Sequence, residues 1–125
     1  MNLLLDTHTL IWALEDNPGL SAAARVAIVD GDNSVFVSAV SVWEISIKKA
    51  LGKLHAPDTL LEEIEQLRFT PLDITLAHAD RAGKLPPIHM DPFDRMLIAQ
   101  AQADQLTLVT RDADMQKYQV HCLVA

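Results

Sequence analysis

Two acidic residues lie on helical faces that are otherwise apolar. Glu44 and Asp94 each belong to a segment with helical periodicity, in which residues three, four and seven positions apart share a face. Apolar residues share both faces: Val40, Ile47 and Leu51 around Glu44, and Leu97, Ile98 and Ala101 after Asp94. An unpaired carboxylate on an inward-facing surface is energetically costly, so both acids require a compensating charge.

Two further acids follow apolar segments that are typical of buried strands. Asp6 comes directly after residues 3–5, and Asp112 follows residues 106–110, with Asp114 close behind it. In an open parallel sheet, ligands bind in the crevice outside the carboxyl ends of the strands. We therefore expect Asp6 and Asp112 on that rim, at the same end of the fold as the inward-facing acids.

These acids together fit metal-assisted hydrolysis of a phosphodiester. Two carboxylates about 4 Å apart repel each other by roughly 4 kcal/mol at an effective dielectric near 20, and divalent cations offset that repulsion. Mg²⁺ and Mn²⁺ favour such oxygen ligands, and two ions about 3.5 to 4 Å apart would activate water and stabilise the leaving oxygen. The single cysteine, Cys122, excludes a cysteine metal cluster, so oxygen or nitrogen must supply the ligands.

Each acid also has a purely structural interpretation. Glu44 can form an ion pair with Lys48 one turn later on an exposed face, and Asp94 can interact with the dipole of its own helix. Three acids are placed to cap the N-termini of helices: Asp6, Asp91 and Asp112. These interpretations stay open for each residue alone, but together they would need several separate coincidences at one end of the fold.

Short apolar strands and amphipathic helices alternate along the chain. The predicted strands cover residues 3–5, 35–37, 69–72, 106–110 and 119–124. The predicted helices cover residues 7–16, 21–29, 38–51, 57–67, 74–84 and 91–104, with a helical turn at 112–118. Pro71 lacks the amide donor of a central strand, so segment 69–72 is expected at an edge. The alternation predicts an α/β fold with a mainly parallel sheet covered on both faces.

Length, composition and charge limit the class of protein. The 125 residues are half hydrophobic and 22% charged, which predicts one domain over residues 1–125 and excludes a disordered or collagenous chain. A net charge of −7 disfavours a general nucleic-acid binder, although locally bound cations would offset the repulsion. No apolar run approaches the roughly 18 residues of a membrane span, and no basic region precedes the first apolar stretch, so we expect a cytoplasmic protein.

Four sequence blocks stand out together. They are residues 3–8 (Leu-Leu-Leu-Asp-Thr-His), 41–45 (Ser-Val-Trp-Glu-Ile), 89–101 with the run Asp-Pro-Phe-Asp-Arg, and 108–112 (Leu-Val-Thr-Arg-Asp). This succession resembles the motifs of PIN-domain proteins, and most closely those of VapC-type toxins of bacterial toxin–antitoxin pairs. The resemblance spans nearly the whole chain, and the Asp-Pro-Phe-Asp-Arg run is its most distinctive part.

The resemblance implies a three-layer α/β/α sandwich and a Mg²⁺- or Mn²⁺-dependent endoribonuclease with one or two ions per site. It also implies an RNA substrate, a homodimer and inhibition by a cognate antitoxin. The acidic quartet of the family, which would be catalytic and metal-binding, falls on Asp6, Glu44, Asp94 and Asp112. Asp114 is an additional candidate ligand, and Asp91 is interpreted as the helix cap that orients Asp94.

Weaker signals surround the acids. Four neighbouring residues are interpreted as substrate-binding: Thr7, Arg95, Thr110 and Arg111. The arginines would contact phosphate, and the threonines would hold water or a ligand carboxylate unless their hydroxyls bond only to backbone. Three lysines offer an outer phosphate track, although a solvated helix face explains them better: Lys48, Lys49 and Lys53. His89 precedes the Asp-Pro-Phe-Asp run and is placed to reach the substrate, but an anchor of its loop is the favoured interpretation.

Two other classes of function stay open. A phosphorylation-dependent receiver domain has a similar length and fold, with Asp73 as phosphoacceptor and Thr110 as switch hydroxyl. Such a domain needs paired acids after the first strand and a lysine at the end of the last strand, and the sequence has neither. The remaining hypothesis is a catalytically inactive PIN-like module that only binds a partner protein.

Overall fold

A computed structural model describes all 125 residues as a mixed α/β structure. The strands are β1 (Asn2–Leu5), β2 (Ser34–Ser38), β3 (Thr70–Leu72), β4 (Thr107–Thr110) and β5 (Cys122–Val124). The helices are α1 (Thr7–Glu15), α2 (Ala22–Val29), α3 (Ala39–Ala50), α4 (Leu60–Gln66), α5 (Leu76–Lys84) and α6 (Pro92–Asp104), with a 3₁₀ turn at Met115–Lys117. None of the helices combines the length and the apolar character that a bilayer crossing requires.

The five strands form one parallel sheet in the order β3-β2-β1-β4-β5. The central strand β1 pairs on both sides, with Leu4 opposite Phe36 of β2 and Leu108 of β4. A strand that is buried on both faces has a continuous apolar sequence, which explains the three leucines of residues 3–5. The prediction of a mainly parallel sheet between two layers of helices is confirmed.

The alternation of side chains along β1 divides the core into two clusters. Leu3 and Leu5 pack on one face of the sheet with apolar residues of α1, α2 and α4. Leu4 packs on the other face with apolar residues of α6 and with Leu108. Helix α3 contributes to both clusters and contacts α1 and α6, so it lies between the helices of the two layers.

Side-chain caps set most of the helix starts near the predicted positions. Ser21 accepts a hydrogen bond from the amide of Ala24, and Asp91 accepts from the amides of Phe93 and Asp94 directly before α6. Pro92 occupies the first position of α6, where its missing amide proton costs nothing. The predicted interpretation of Asp91 as a helix cap is therefore confirmed.

Three predicted elements are shorter in the structure than the sequence suggested. Helix α4 begins at Leu60 rather than at position 57, because Leu54 and Ala56 pack against the core in non-helical backbone and Thr59 makes no capping bond. Strand β5 covers only Cys122–Val124, since those are the residues that have partners on β4. The turn predicted for residues 112–118 is helical only at Met115–Lys117.

Candidate active site

All four acids of the predicted quartet line one cleft beyond the carboxyl ends of the central strands. The cleft has a volume of about 640 Å³. Its walls include Asp6 after β1, Glu44 from α3, Asp94 from the first turn of α6 and Asp112 after β4. Parallel strands end at the same edge of the sheet, which is why residues more than a hundred positions apart meet there.

Asp6 is both a helix cap and a wall of the cleft. Its Oδ1 accepts a hydrogen bond of 2.8 Å from the amide of Thr9, and its Oδ2 accepts one of 2.6 Å from the hydroxyl of Thr110. The two alternative interpretations of Asp6 therefore hold together. Because a carboxylate oxygen has more than one acceptor position, these bonds fix the side chain without using its full capacity to bind a cation.

Glu44 is buried, with only 5% of the residue exposed. Its Oε2 lies 2.5 Å from the ammonium of Lys48, and this hydrogen bond is the main reason that the pKa of Lys48 is raised. Its Oε1 is buried without any hydrogen-bond partner. The pair with Lys48 therefore exists, but not as the exposed pair that the alternative interpretation assumed, and one oxygen still lacks the partner that burial demands.

Asp94 is the acid of the cleft whose pKa is shifted most. Burial and, next in size, the charge of Asp91 raise the pKa of Asp94 from 3.8 to about 7, and Glu44 adds to the effect. A hydrogen bond from His89 opposes the rise. The cleft therefore holds more negative charge than its own cations offset, which is the condition that favours a bound cation.

Asp112 and Asp114 have different surroundings although they are two positions apart. Oδ1 of Asp112 accepts bonds from the amides of Asp114 (2.8 Å) and Met115 (3.0 Å), while its Oδ2 lies 3.6 Å from Nε2 of His89. Asp114 does not line the cleft, and it pairs with Lys117, which lowers the pKa of the Asp114 carboxyl. The side chain of Asp114 is half exposed and lies outside the lining of the cleft, so its role as an additional ligand stays a prediction.

His89 belongs to the acidic cluster, a position that sequence reasoning missed. Its Nε2 lies 2.8 Å from Oδ2 of Asp94 and 3.6 Å from Oδ2 of Asp112. One candidate ligand atom from each of these three residues lies within 4.8 Å of the others. The sequence offered one signal for this position. His89 lies two residues before Asp91, the cap of α6, and so close to the first turn of the helix that carries Asp94.

Two of the predicted substrate-binding residues line the cleft. The hydroxyl of Thr7 donates to Oγ of Ser41, so it has a buried partner. Arg111 lies over the ring of Trp12 at 4.5 Å from the centroid, and its Nε donates to the backbone oxygen of Ala125. Nη1 of Arg111 makes no hydrogen bond within the chain, so this arginine can still meet an anion.

The other two predicted substrate-binding residues have roles inside the protein. Thr110 is fully buried and donates to Asp6, so it positions a ligand carboxylate. The guanidinium of Arg95 donates to four backbone carbonyls, those of Ala82, Leu85, Pro86 and His89. These bonds occupy both terminal nitrogens and hold the loop between α5 and α6, while a contact of Arg95 with phosphate stays a prediction.

Only two of the three lysines of the predicted phosphate track line the cleft. Lys48 and Lys53 line the cleft, whereas Lys49 forms an ion pair with Asp58 outside it. Asp73, the phosphoacceptor of the receiver hypothesis, also lies outside the cleft, in an apolar groove beside β3. The cleft therefore combines several carboxylates with a rim of cations, which suits a divalent ion together with a polyanion.

Comparisons with known proteins agree with this architecture. The family model described as "PIN domain" matches residues 3–120. Solved structures with the same fold include VapBC2 from Rickettsia felis bound to a DNA fragment from their promoter, with a TM-score of 0.73, 16% identity and 98% of each chain covered. VapBC-1 from nontypeable Haemophilus influenzae gives 0.71 and 20% identity over 98% of this chain and 97% of that chain.

A third similar structure is DNA-bound VapBC from Salmonella typhimurium, with a TM-score of 0.70, 20% identity and coverage of 98% and 97%. No curated protein matches the chain. At these identities the structural likeness shows a shared fold. The family model, however, spans nearly the whole sequence, and on that basis the chain belongs to the PIN domain family.

Proposed function

We propose that this protein is a divalent-metal-dependent endoribonuclease and the VapC-type toxin of a toxin–antitoxin pair. One observation carries the nuclease proposal: four carboxylates from four separate elements line one cleft, and one oxygen of the buried Glu44 has no partner within the chain. A structural role for each acid would leave that oxygen unsatisfied at a cost of about 1–3 kcal/mol. A bound cation would remove this cost.

The residues of the cleft fit a hard divalent ion. Asp6, Glu44, Asp94 and Asp112 offer carboxylate oxygens, which are the ligands that Mg²⁺ and Mn²⁺ favour. One or two such ions would supply a nucleophilic hydroxide at neutral pH and stabilise charge on the leaving oxygen. The raised pKa of Asp94 supports this assignment, because a cation beside the carboxyl would favour its ionised form.

The remaining residues orient the ligands and the substrate. The amide of Thr9 and the hydroxyl of Thr110 hold the carboxylate of Asp6 in one rotamer, so it needs little reorganisation to bind an ion. Arg111, Lys48 and Lys53 line the same cleft and would bind the phosphates on either side of the cleaved bond. Thr7 would complete the substrate contacts at the cleft wall.

The biological role rests on the structural neighbours. Those neighbours are described as VapBC assemblies, and their likeness to this chain over its whole length supports a cognate antitoxin as partner and inhibitor. We also propose one domain over residues 1–125, cytoplasmic action on RNA, and a homodimer. Exposed apolar side chains such as Trp43, Leu61 and Leu76 are available for such contacts.

A cleavage assay tests the enzymatic proposal. Purified protein, freed of any partner, is expected to cut RNA internally in the presence of Mg²⁺ or Mn²⁺ and to stop when EDTA is added. Asp6→Asn should lose this cleavage, whereas the control Asp80→Asn, which changes an exposed acid of α5, should keep it. Sequencing of the new RNA ends after induction in cells would identify the substrate.

Two results would count against this function. Equal cleavage by the wild type and Asp6→Asn would mean that a contaminant cuts the RNA or that the site is elsewhere. No cleavage of any RNA, together with tight binding of an antitoxin, would favour the inactive PIN-like module. A labile phosphoryl group on Asp73 after incubation with acetyl phosphate would instead favour the receiver domain.

A further inference from the structure

The loop between α5 and α6 holds His89 in a fixed position against the acidic cluster. The amide of His89 donates to the hydroxyl oxygen of Tyr118 at 2.8 Å, and that hydroxyl donates to the carbonyl of Pro86 at 2.7 Å. Nη1 of Arg95 donates to the carbonyls of Pro86 and His89, both at 3.1 Å. A histidine that merely anchored its loop would not need its own backbone to be anchored in turn by two other side chains.

The imidazole has the spacing of a ligand that shares an ion with two carboxylates. Two ligand atoms about 2.1 Å from an ion and at right angles to each other lie roughly 3.0 Å apart. Nε2 of His89 is 2.8 Å from Oδ2 of Asp94 and 3.6 Å from Oδ2 of Asp112, which are distances of this size. The ring nitrogen therefore points at the same space as the two carboxylate oxygens.

A second, independent observation concerns the buried acid of the same cleft. Glu44 lines the cleft, is more than nine-tenths buried, and its Oε1 has no hydrogen-bond partner, a deficit that a bound cation would remove. The charge of Glu44 acts on Asp94, so the two groups are near neighbours. Glu44, Asp94 and Asp112 thus line one cleft, and the imidazole of His89 lies against two of these carboxylates.

We propose that His89 is a nitrogen ligand of the metal ion, beside Asp94 and Asp112, and that the site therefore prefers a divalent transition ion such as Mn²⁺ over Mg²⁺. This inference rests on the proposed function and specifies its cofactor. Mg²⁺ favours oxygen ligands and keeps much of its water, whereas an imidazole nitrogen suits first-row transition ions better. If His89 acted only as a cation that offsets Asp94, the ion would have oxygen ligands alone.

Pulsed electron paramagnetic resonance of Mn²⁺ bound to the whole protein tests the inference. The wild type should show ¹⁴N modulation from a coordinated imidazole, and labelling with [¹⁵N]histidine should replace it by the ¹⁵N pattern. His89→Gln should lose the nitrogen signal. Two controls should keep it: His121→Gln, which changes an exposed histidine, and His8→Gln, which changes a histidine that lines the cleft and packs edge-on against Trp12.

Calorimetric titration with Mn²⁺ and Mg²⁺ gives the matching affinities. His89→Gln should weaken Mn²⁺ binding by about 10- to 100-fold and change Mg²⁺ binding by less than about 3-fold. Mn²⁺ that binds without any nitrogen signal in the wild type, or with a signal that His8→Gln removes, would overturn the assignment of His89 and leave the proposed nuclease intact. Failure of both ions to bind would overturn the assignment and the proposed metal dependence together.

Discussion

A histidine–aspartate pair lies at each end of helix α6, and the two pairs have different surroundings. In each pair the aspartate belongs to α6 and the histidine to an earlier segment. At the N-terminal end, Nε2 of His89 lies 2.8 Å from Oδ2 of Asp94, which lines the cleft. At the C-terminal end, Nε2 of His78 lies 3.2 to 3.3 Å from the two oxygens of Asp104. His78 is buried, and its Nδ1 accepts from the amide of Thr75 at the start of α5.

The two pairs show that the contact itself does not mark a functional site. Near Asp104, both nitrogens of His78 have partners: Nδ1 accepts from the amide of Thr75, and Nε2 contacts the carboxylate of Asp104. Near Asp94, Asp91 and Glu44 add negative charge that His89 alone does not offset. A buried oxygen without a partner occurs in both regions, in Glu44 and in Gln100, but only that of Glu44 is charged and lines the cleft.

The largest expected difference concerns RNA cleavage. Asp94→Asn removes a ligand from the proposed metal site and should reduce the cleavage rate by more than about 100-fold. Asp104→Asn keeps a polar partner for His78 far from the cleft and should change the rate by less than about 3-fold. Comparable losses in both variants, measured on one RNA under single-turnover conditions, would show that the two pairs are not functionally distinct.

For folding stability, the His78–Asp104 pair should matter more than the His89–Asp94 pair. His78→Ala removes a buried ring together with its hydrogen bonds to the amide of Thr75 and the carboxylate of Asp104, and should lower the free energy of unfolding by about 2–3 kcal/mol. His89→Ala, at a partly exposed position, should lower it by about 1 kcal/mol or less. Urea denaturation at pH 7 in EDTA measures both values, and a larger loss for His89→Ala would contradict the structural role given to His78.

The pH dependence of stability should separate Asp94 from the other acids. Between its unfolded pKa of 3.8 and its folded pKa of about 7, Asp94 holds a proton in the folded chain that it releases on unfolding, so its contribution falls as the pH rises. Asp94→Asn removes this loss of folding stability at higher pH. Because the side chain is one-fifth exposed and partly screened, we expect the variant to gain roughly 1–2 kcal/mol at pH 8 and little at pH 4.

The measurement is the difference in unfolding free energy between the wild type and Asp94→Asn from pH 4 to pH 8, without metal. A difference that does not change with pH would contradict the raised pKa. A variant that is less stable at every pH would favour a purely structural role of Asp94 at the start of α6. Saturating Mn²⁺ should reverse the sign at pH 8, because only the wild type then binds the ion tightly.

The smallest expected effect concerns the acid just outside the cleft. Asp114→Asn removes an exposed carboxylate that pairs with Lys117, so the midpoint of urea denaturation should not change measurably. The affinity for Mn²⁺, measured by calorimetry, should stay within about 2-fold of the wild type. A loss of affinity as large as that of Asp112→Asn would show that Asp114 is a ligand.

Much of the fold was predictable because local patterns record burial. The apolar run of residues 3–5 predicted a buried strand, and the Asp91–Pro92 sequence predicted the start of α6. The limits of α4 and β5 were wrong by several residues, because packing of Leu54 and Ala56 and the length of the neighbouring strand decide them. No local pattern contains that information.

The site was predictable in its acids but less so in their neighbours. Glu44 and Asp94 stood out because a charged residue on an apolar helical face is unusual, and both line the cleft. Arg95 was assigned to phosphate because it follows Asp94 directly, but the helix points it towards the loop before α6. Adjacency in sequence says little about direction on a helix, where neighbours lie on different faces.

By itself, the sequence determined the alternation of strands and helices, the parallel sheet and the set of four acids, since periodicity and residue type express burial and charge locally. Only the tertiary structure decided that His89 joins Asp94 and Asp112, that Asp114 lies outside the lining of the cleft, and that Arg95 holds a loop. These outcomes depend on contacts such as the one between His89 and Tyr118, which lie 29 positions apart. Such groups come into contact only when the whole chain has folded.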